Sequence, residues 1–273
     1  MKVTAVIPSY YEADHEYLKL CVESLRETVN WDIIVVTNGT PHKPTLEFGG
    51  VTRHVHTRDQ GQCVAVNIGA QLASPDTDYL FVINSDMYFA PDWKQNLEFK
   101  YPVFSPNLIE PTDNAGSAPP FLKLDGGLTI EAFKKDVVDN FVKQNTEYNV
   151  EDPTTGFNLP FFIKLDVWRT IGGYDPAYDP WGSNSDTDLQ TAVELAGIQP
   201  MRLRNVLVYH FSNKSGTFDG SHQEAWWKNW FHYTNKWGFN RDMEPIPDTW
   251  MATNLVNREK LIYHPDWEGK YAE

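Results

Sequence analysis

The stretch Tyr79-Leu80-Phe81-Val82-Ile83-Asn84-Ser85-Asp86 decides the fold. Five apolar residues in a row fit a strand that is buried on both faces, and the polar triplet after them marks its end. Such a strand is typical of a parallel sheet with helices on both sides. Ligands bind these sheets beyond the carboxyl ends of the strands. The stretch therefore predicts the class of fold and places a candidate site at residues 84–86.

Earlier segments repeat the pattern, with helices between them. Residues 3–8, Asp32 to Thr37 and Val51 to Thr57 are predicted strands. Apolar residues at three- and four-residue steps predict a helix over 14–28 with Asp14 as its N-cap, and a second helix follows Gly61. Strands that alternate with helices indicate an α/β fold with a mostly parallel sheet.

The carboxyl ends of these strands carry polar clusters, which the predicted topology gathers on one rim. They are Pro8-Ser9-Tyr10, Thr37-Asn38-Gly39 and Asn84-Ser85-Asp86. This rim is where we expect a ligand.

The second half of the chain is less regular. Residues 105–127 are rich in Pro, Gly, Asn and Asp and predict a loop. Further elements are expected as a helix over 129–145, a strand from Leu159 to Lys164, a helix from Asp186 to Ala196 ended by Gly197, and a strand from Met201 to His210. After about residue 220 the chain is rich in tryptophan, and Trp226, Trp227, Trp230 and Phe231 recur at helical spacing, which favours packing over ligand binding.

The composition of the chain argues against several classes of function. The chain has 273 residues and a formal net charge of −14. This excess of acidic residues argues against non-specific binding to nucleic acid and against binding to anionic lipid through a polybasic segment. The sequence shows no signal peptide and no transmembrane stretch, and its two cysteines form no metal or redox pair by spacing. We expect a cytoplasmic protein, with peripheral membrane attachment through a partner or an interfacial surface as the open alternative.

Two carboxylates and one imidazole could take part in metal binding or catalysis, and each also has a purely structural interpretation. Asp86 could bind a divalent cation, or it could belong to an ordinary polar turn. Asp186, with Asp188 two residues on, could supply a general base or simply cap a helix. His210 could ligate a metal or be structural, and His54 and His56 share one strand face and are interpreted as structural or exposed.

Together these segments resemble the family 2 glycosyltransferases, which have the GT-A fold. The similar motifs occur in the family's order: Val6-Ile7-Pro8-Ser9-Tyr10, Val35-Val36-Thr37-Asn38-Gly39-Thr40, Gly61 through Asn67-Ile68-Gly69-Ala70, Asn84-Ser85-Asp86, and Gly172-Gly173-Tyr174-Asp175 with Trp181-Gly182 and Asp186-Thr187-Asp188-Leu189. The last block is similar to the family's Gly-Gly-Phe-Asp and Glu-Asp-x-Asp-Leu. Lys236-Trp237-Gly238 resembles a tail signature of the family.

The resemblance implies a role for each matched residue. Asp86 would be the metal carboxylate, His210 a further metal or phosphate contact, and Asp186 the catalytic base. The residues expected to bind the nucleotide-sugar are Pro8, Tyr10, Glu12, Thr37, Asn38, Gly61, Asn67, Asn84 and Ser85. Those expected on the acceptor side are Gly156, Phe157, Trp181 and Asp188.

The resemblance further implies an inverting, hexosyltransferase-type enzyme that uses Mn²⁺ or Mg²⁺. Its donor would be a UDP, GDP or dTDP sugar, and its acceptor a glycan, a lipid-linked group or a protein. Residues 1–220 would form the GT-A domain, with a nucleotide-sugar-binding half over 1–100 and an acceptor-side half over 101–220. Residues 221–273 would form a Trp-rich, helical extension packed on that domain.

Departures from the family pattern leave alternatives open. Tyr11 replaces the usual Asn, Thr37 replaces an Asp that often reads uracil, and Ser185 replaces the Glu before the base. A nucleotidyltransferase is a second candidate, although the loop after the first strand lacks the basic residue that such an enzyme favours. A catalytically silent glycan-binding or scaffold protein is a third, although the carboxylates Asp86 and Asp186 favour an enzyme.

Overall fold

The computed structural model describes residues 1–10, 15–38, 49–58, 61–112, 122–146, 153–212 and 223–237. Within these ranges the chain forms a ten-stranded mixed sheet with helices packed against it. The strands are β1 Val3–Ser9, β2 Asp32–Asn38, β3 Arg53–Thr57, β4 Tyr79–Val82, β5 Met87–Tyr88, β6 Val103–Pro111, β7 Leu122–Leu124, β8 Thr154–Thr155, β9 Phe161–Lys164 and β10 Met201–His210. The helices are α1 His15–Thr28, α2 Gln62–Leu72, α3 Lys135–Thr146, α4 Leu165–Ile171, α5 Ser185–Leu195 and α6 Gln223–Trp237.

The sheet has the order β3-β2-β1-β4-β9-β6-β10-β5, with β7 beside β6 and β8 beside β10. Its first four strands are parallel, so that Val6 pairs with both Ile34 of β2 and Val82 of β4. Strand β9 is antiparallel to both β4 and β6, whereas β6 and β10 run parallel. The prediction of a mostly parallel sheet flanked by helices is confirmed.

The main core lies where the parallel and mixed halves of the sheet meet. Phe81 of β4 stacks on Phe162 of β9 with ring centroids 3.9 Å apart, and Trp31 meets both rings edge-on. On the other face of β2, a smaller cluster of Ile34, Val36 and Ala65 packs β2 against α2. The continuous apolar strands are therefore buried on both sides, as their sequence predicts.

The predicted loop over 105–127 is wrong, because this range contains the end of β6 and all of β7. Strand β6 is buried along its whole length between β9 and β10. Two of its polar residues have side-chain partners: Ser105 Oγ donates to Asn158 O at 2.8 Å, and Glu110 Oε1 lies 3.1 Å from His210 Nδ1. A polar composition typical of loops thus belongs to a central strand in which Ser105 and Glu110 are hydrogen-bonded.

The other predicted elements exist, with shifted limits. The helix expected over 129–145 begins only at Lys135, and the six residues before it are not helical, with a turn at 130–132. The strand expected from Leu159 begins at Phe161, and that expected from Val51 begins at Arg53. Helix α5 ends as predicted, since Gly197 after its last turn has φ +81°. The proposed N-cap Asp14 lies outside the described residues.

Candidate active site

The rim at the carboxyl ends of β1 and β2 is joined to α2 by a buried amide. Asn38 Nδ2 donates to Ser9 O at 3.1 Å, and Asn38 Oδ1 accepts from Gly61 N at 3.0 Å. The side chain is 1% exposed. Asn38, which the sequence places among the nucleotide-sugar contacts, thus fixes the geometry of that rim through its own amide.

Thr37 lies beside a histidine pair at the edge of the sheet. Its Oγ1 is 3.0 Å from His54 Nε2 and 3.2 Å from His56 Nδ1. Burial and the neighbouring His56 lower the pKa of His54. The expectation that both histidines share one face is confirmed, and their shared partner is the residue that replaces the family's aspartate.

Asp86, His210 and Glu110 form a row in which the histidine stands between two carboxylates. His210 Nε2 lies 3.3 Å from Asp86 Oδ1, and His210 Nδ1 lies 3.1 Å from Glu110 Oε1. The row is held by backbone pairing, because His210 of β10 pairs with Met87 of β5 directly after Asp86. Two of these residues were predicted as metal ligands, and the structure brings them together.

Asp86 and His210 belong to the residue types that bind divalent metal ions. Metal-binding histidines usually give their second ring nitrogen to a carboxylate, as His210 does to Glu110. Burial works to lower the pKa of His210, but Asp86 and Glu110 outweigh it and raise that pKa to about 10. In the described parts of the chain no group of three or more His, Cys, Asp or Glu side chains is arranged to hold a metal. Asp86 and His210 would therefore share the ion with oxygens of a substrate, as is common at phosphate sites.

Asp186, the predicted base, lies in the first turn of α5. Burial raises its pKa to about 6, and a hydrogen bond from the Tyr174 hydroxyl to Oδ1, 2.5 Å long, acts in the opposite direction. A carboxylate with a pKa near 6 is suited to accept a proton close to neutral pH. The N-cap residue of α5 is Asn184, which has φ +67° and makes no side-chain cap, so the simple capping alternative for this segment does not describe its geometry.

Asp188, two residues further on, is buried and fastens α6 to α5. Its Oδ1 accepts from Tyr178 Oη at 3.0 Å and from Trp237 Nε1 at 2.7 Å, and its Oδ2 accepts from Lys236 Nζ at 2.8 Å. Lys236 also donates to Asp175 Oδ2 at 3.0 Å. The structure thus surrounds Asp188, expected on the acceptor side, with protein donors.

Asn67 connects α2 to the segment that carries the base. Its Nδ2 donates to Tyr174 O at 2.8 Å, and its Oδ1 accepts from Tyr174 N at 3.0 Å. Gly173 makes room for this pair, because a Cβ there would lie 2.6 Å from Asn67 Oδ1. Asn67 was predicted to contact the nucleotide-sugar; in the structure its amide holds the backbone of Tyr174.

A second connection reaches the N-terminus of α2 from Asp179. Its Oδ1 accepts from Cys63 N at 3.0 Å and its Oδ2 from Val64 N at 2.9 Å, which satisfies two free N–H groups of the helix. Gly61 is required for this approach, since a Cβ there would lie 1.9 Å from Asp179 Cγ. The N-terminus of α2 is therefore occupied by the protein's own carboxylate.

The remaining predicted residues lie in several places. Ser85 is buried at the end of the β4 segment, while Tyr10 and Asn84 are half-buried on the same side of the sheet. Glu12 lies outside the described residues. On the acceptor side, Trp181 is half-buried, Phe157 is buried against Phe161, and Gly156 lies against the Arg202 guanidinium. Pro8 is buried within β1.

Comparison with known proteins finds a family similarity in the first part of the chain. Residues 4–99 match the family model described as glycosyl transferase family 2. Over this region the chain is similar to the family 2 glycosyltransferases. The matched region holds β1 to β4 and the motif ending in Asp86. No curated protein sequence matches the chain.

Solved structures show that the chain has the GT-A fold. S. aureus TarS 1-349 is 11% identical with a TM-score of 0.54, and the match covers 90% of this chain and 76% of that one. GalNAc-T7, solved with UDP, GalNAc and Mn²⁺, is 14% identical with a TM-score of 0.58, and the match covers 87% of this chain and 49% of that one. TarS 1-349 in complex with UDP-GlcNAc is similar with a TM-score of 0.51 over 78% of this chain and 61% of that one.

Four residues of the candidate site were missed by sequence reasoning. Glu110 and Asp179 were assigned no role, and Tyr174 and Lys236 were named only as parts of motifs. Each acts on a predicted residue or element from far away in the chain; Asp179, for example, is 116 positions from Cys63. No spacing within the sequence reveals such contacts, although a lysine near a family-like Trp-Gly tail is a weak signal for Lys236.

Proposed function

We propose that the protein is an inverting glycosyltransferase that moves a sugar from a nucleoside-diphosphate sugar to an acceptor hydroxyl. The observation that carries the proposal is Asp186, a carboxylate at the start of α5 whose pKa lies near 6. Its unprotonated form would accept the proton of the acceptor hydroxyl at Oδ2, while Oδ1 stays bonded to Tyr174. The acceptor oxygen would then attack the anomeric carbon on the face opposite the diphosphate.

Asp86 and His210 would hold a divalent ion, Mn²⁺ or Mg²⁺, at the end of the β4 segment. When bound, such an ion supplies positive charge to the diphosphate oxygens. Their distance of 3.3 Å and the support of His210 by Glu110 favour these two residues as ligands. Mn²⁺ and UDP are present in the GalNAc-T7 structure, which supports a metal and a nucleoside diphosphate of this kind here.

The identities of donor and acceptor are proposed at the level of chemical class. UDP, GDP and dTDP sugars are the candidate donors, and UDP-GlcNAc in the TarS complex supports the first of these. The candidate acceptors are a glycan, a lipid-linked group or a protein. No helix within the described ranges is long and apolar enough to cross a membrane.

We further propose that residues 221–273 form an extension on the GT-A domain. Helix α6, the part of this extension that the structure describes, contacts the segment containing Asp175 and Tyr178 through Asn229, His232 and Lys236.

Replacing Asp186 by Asn tests the proposed function. The Asn side chain keeps the shape and can still accept from Tyr174, but it cannot take a proton. We expect Asp186→Asn to bind a nucleoside diphosphate as the unmodified protein does and to lose transfer. Asp136→Asn is the matched control, because Asp136 is an exposed aspartate in the first turn of α3.

Transfer by Asp186→Asn at a near-normal rate would show that another group is the base. An unmodified protein that binds donor and glycan without any turnover would instead favour the silent glycan-binding alternative. The anomeric configuration of the product, determined by NMR, tests inversion separately.

A further inference from the structure

Two buried tyrosines pair with the two aspartates that open α5. Tyr174 Oη donates to Asp186 Oδ1 at 2.5 Å, and Tyr178 Oη donates to Asp188 Oδ1 at 3.0 Å. Both tyrosines come from the same segment, four residues apart, and both are at most 1% exposed. The pairs look alike, but only the first contains the proposed base.

The hydroxyl of Tyr174 is a departure of this chain from the motif it resembles. The segment Gly172-Gly173-Tyr174-Asp175 corresponds to the family's Gly-Gly-Phe-Asp, in which the aromatic ring has no hydroxyl. The ring of Tyr174 packs edge-on against Trp168 and Phe161, as a phenylalanine ring could. The hydroxyl therefore adds a hydrogen bond to Asp186, beside a side-chain contact with Gln62.

The backbone of Tyr174 is fixed from two sides, so the hydroxyl has little freedom. The amide of Asn67 holds both its N–H and its C=O. Gly173 permits the close approach with φ +73°. Because backbone and ring are both held, the hydroxyl presents a fixed donor to one oxygen of the carboxylate.

The other groups around Asp186 do not replace this donor. Cys63 of α2 faces it, and burial, together with the nearby Asp179, holds the pKa of that thiol well above its usual range, so it is uncharged. Asp188 of α5 is bonded to Tyr178, Lys236 and Trp237 instead. Burial raises the pKa of Asp186, and the Tyr174 hydroxyl is the group that lowers it.

We propose that Tyr174 is a positioning residue for the base: its hydroxyl binds Oδ1 of Asp186, stabilises the ionised carboxylate and leaves Oδ2 to face the acceptor hydroxyl. This inference rests on the proposed function, since it takes Asp186 as the base. It predicts an effect of Tyr174 on the pH dependence of transfer as well as on its rate.

The test compares Tyr174→Phe with Tyr178→Phe over a range of pH. Both variants remove one buried hydroxyl from an aspartate of α5 and keep the ring. In Tyr174→Phe we expect the acidic limb of kcat/KM to move upward by about one pH unit, which lowers transfer roughly tenfold below the limb and much less well above it. In Tyr178→Phe we expect the limb to stay in place, whatever the loss of stability.

An unmoved limb in Tyr174→Phe, or an equal movement in Tyr178→Phe, would overturn the inference. Asp186→Asn separates this failure from failure of the proposed function: an inactive Asp186→Asn with an unmoved limb in Tyr174→Phe refutes only the role of Tyr174. If Tyr174→Phe does not fold, 3-fluorotyrosine placed at position 174 keeps the hydroxyl and makes it a stronger donor. The limb should then move downward, and an unchanged limb would again refute the inference.

Discussion

Replacing Lys236 by Met should destabilise the protein strongly, because it leaves two buried carboxylates without their cation. Lys236 Nζ lies 2.8 Å from Asp188 Oδ2 and 3.0 Å from Asp175 Oδ2. The three side chains are 8%, 4% and 11% exposed, respectively. Methionine fills a similar volume, so the lost charge dominates the change.

The expected loss is large because removal of one partner from a buried ion pair costs about 3–5 kcal/mol. Lys134→Met is the control, since Lys134 pairs with Asp125 while both are about half exposed or more. An exposed pair of this kind contributes roughly 0–1 kcal/mol. Urea unfolding at neutral pH, followed by circular dichroism, gives both free energies of unfolding.

The pH dependence of this loss has a definite sign. Burial raises the pKa of Asp188, whereas for Asp175 burial is outweighed by His232 and Lys236, which hold its pKa below the usual range. Without Lys236 the folded-state pKa of both carboxyls rises, so the folded variant binds protons more tightly than the folded unmodified protein does. The loss should therefore be largest at neutral pH and shrink as the pH falls. A loss below about 1 kcal/mol, or one equal to that of Lys134→Met, would refute this account of the cluster.

Two further predictions concern α2 and the base. Gly61→Ala should lower the free energy of unfolding by about 1–3 kcal/mol or more, since Gly61 has φ +132° and a Cβ would lie 1.9 Å from Asp179 Cγ. Thermal unfolding checks this against the control Gly49→Ala, where no atom lies within 4 Å of the added Cβ. Equal stability of the two variants would contradict the prediction. The acidic limb of kcat/KM should lie near pH 6, with activity lost as the pH falls through that value, because the pKa of Asp186 is about 6 and only its ionised form accepts a proton. A pH–rate profile that stays flat down to pH 4 would count against Asp186.

Much of the fold could be predicted because local patterns and tertiary structure agree in its first half. The apolar run Tyr79–Val82 is a buried strand, and the polar residues after it lie on the rim where ligands bind sheets of this kind. The end of α5 was also predictable, because Gly197 adopts the positive φ that favours glycine after a helix.

Strand β6 could not be predicted from composition, because two of its polar residues are stabilised by partners far away in the sequence. Ser105 bonds to Asn158, 53 positions on, and Glu110 to His210, 100 positions on. Without those partners a buried serine or glutamate would be unfavourable, and the pattern would correctly indicate a loop.

The residues of the candidate site also fall into two groups, those that the sequence indicates and those that only the structure shows. Asp86, Asp186 and His210 follow recognisable strand or helix ends, and the sequence points to them. The residues that orient them cannot be recognised in this way, because their partners are distant in the sequence. Tyr174 and Asn67 are 107 positions apart, and Lys236 and Asp188 are 48 positions apart. Only the folded chain shows that an amide of α2 and a lysine of α6 hold the segment that carries the base.

The most direct test of the account is the melting temperature of the protein with UDP, GDP and dTDP, each with and without Mn²⁺. A ligand that binds only the folded state raises the melting temperature according to its affinity. We expect one nucleotide to raise it in the presence of Mn²⁺, and we expect Asp86→Ala to abolish the part of the shift that depends on Mn²⁺. The absence of a shift with all three nucleotides, or an unchanged shift in Asp86→Ala, would contradict the proposed metal-dependent donor site.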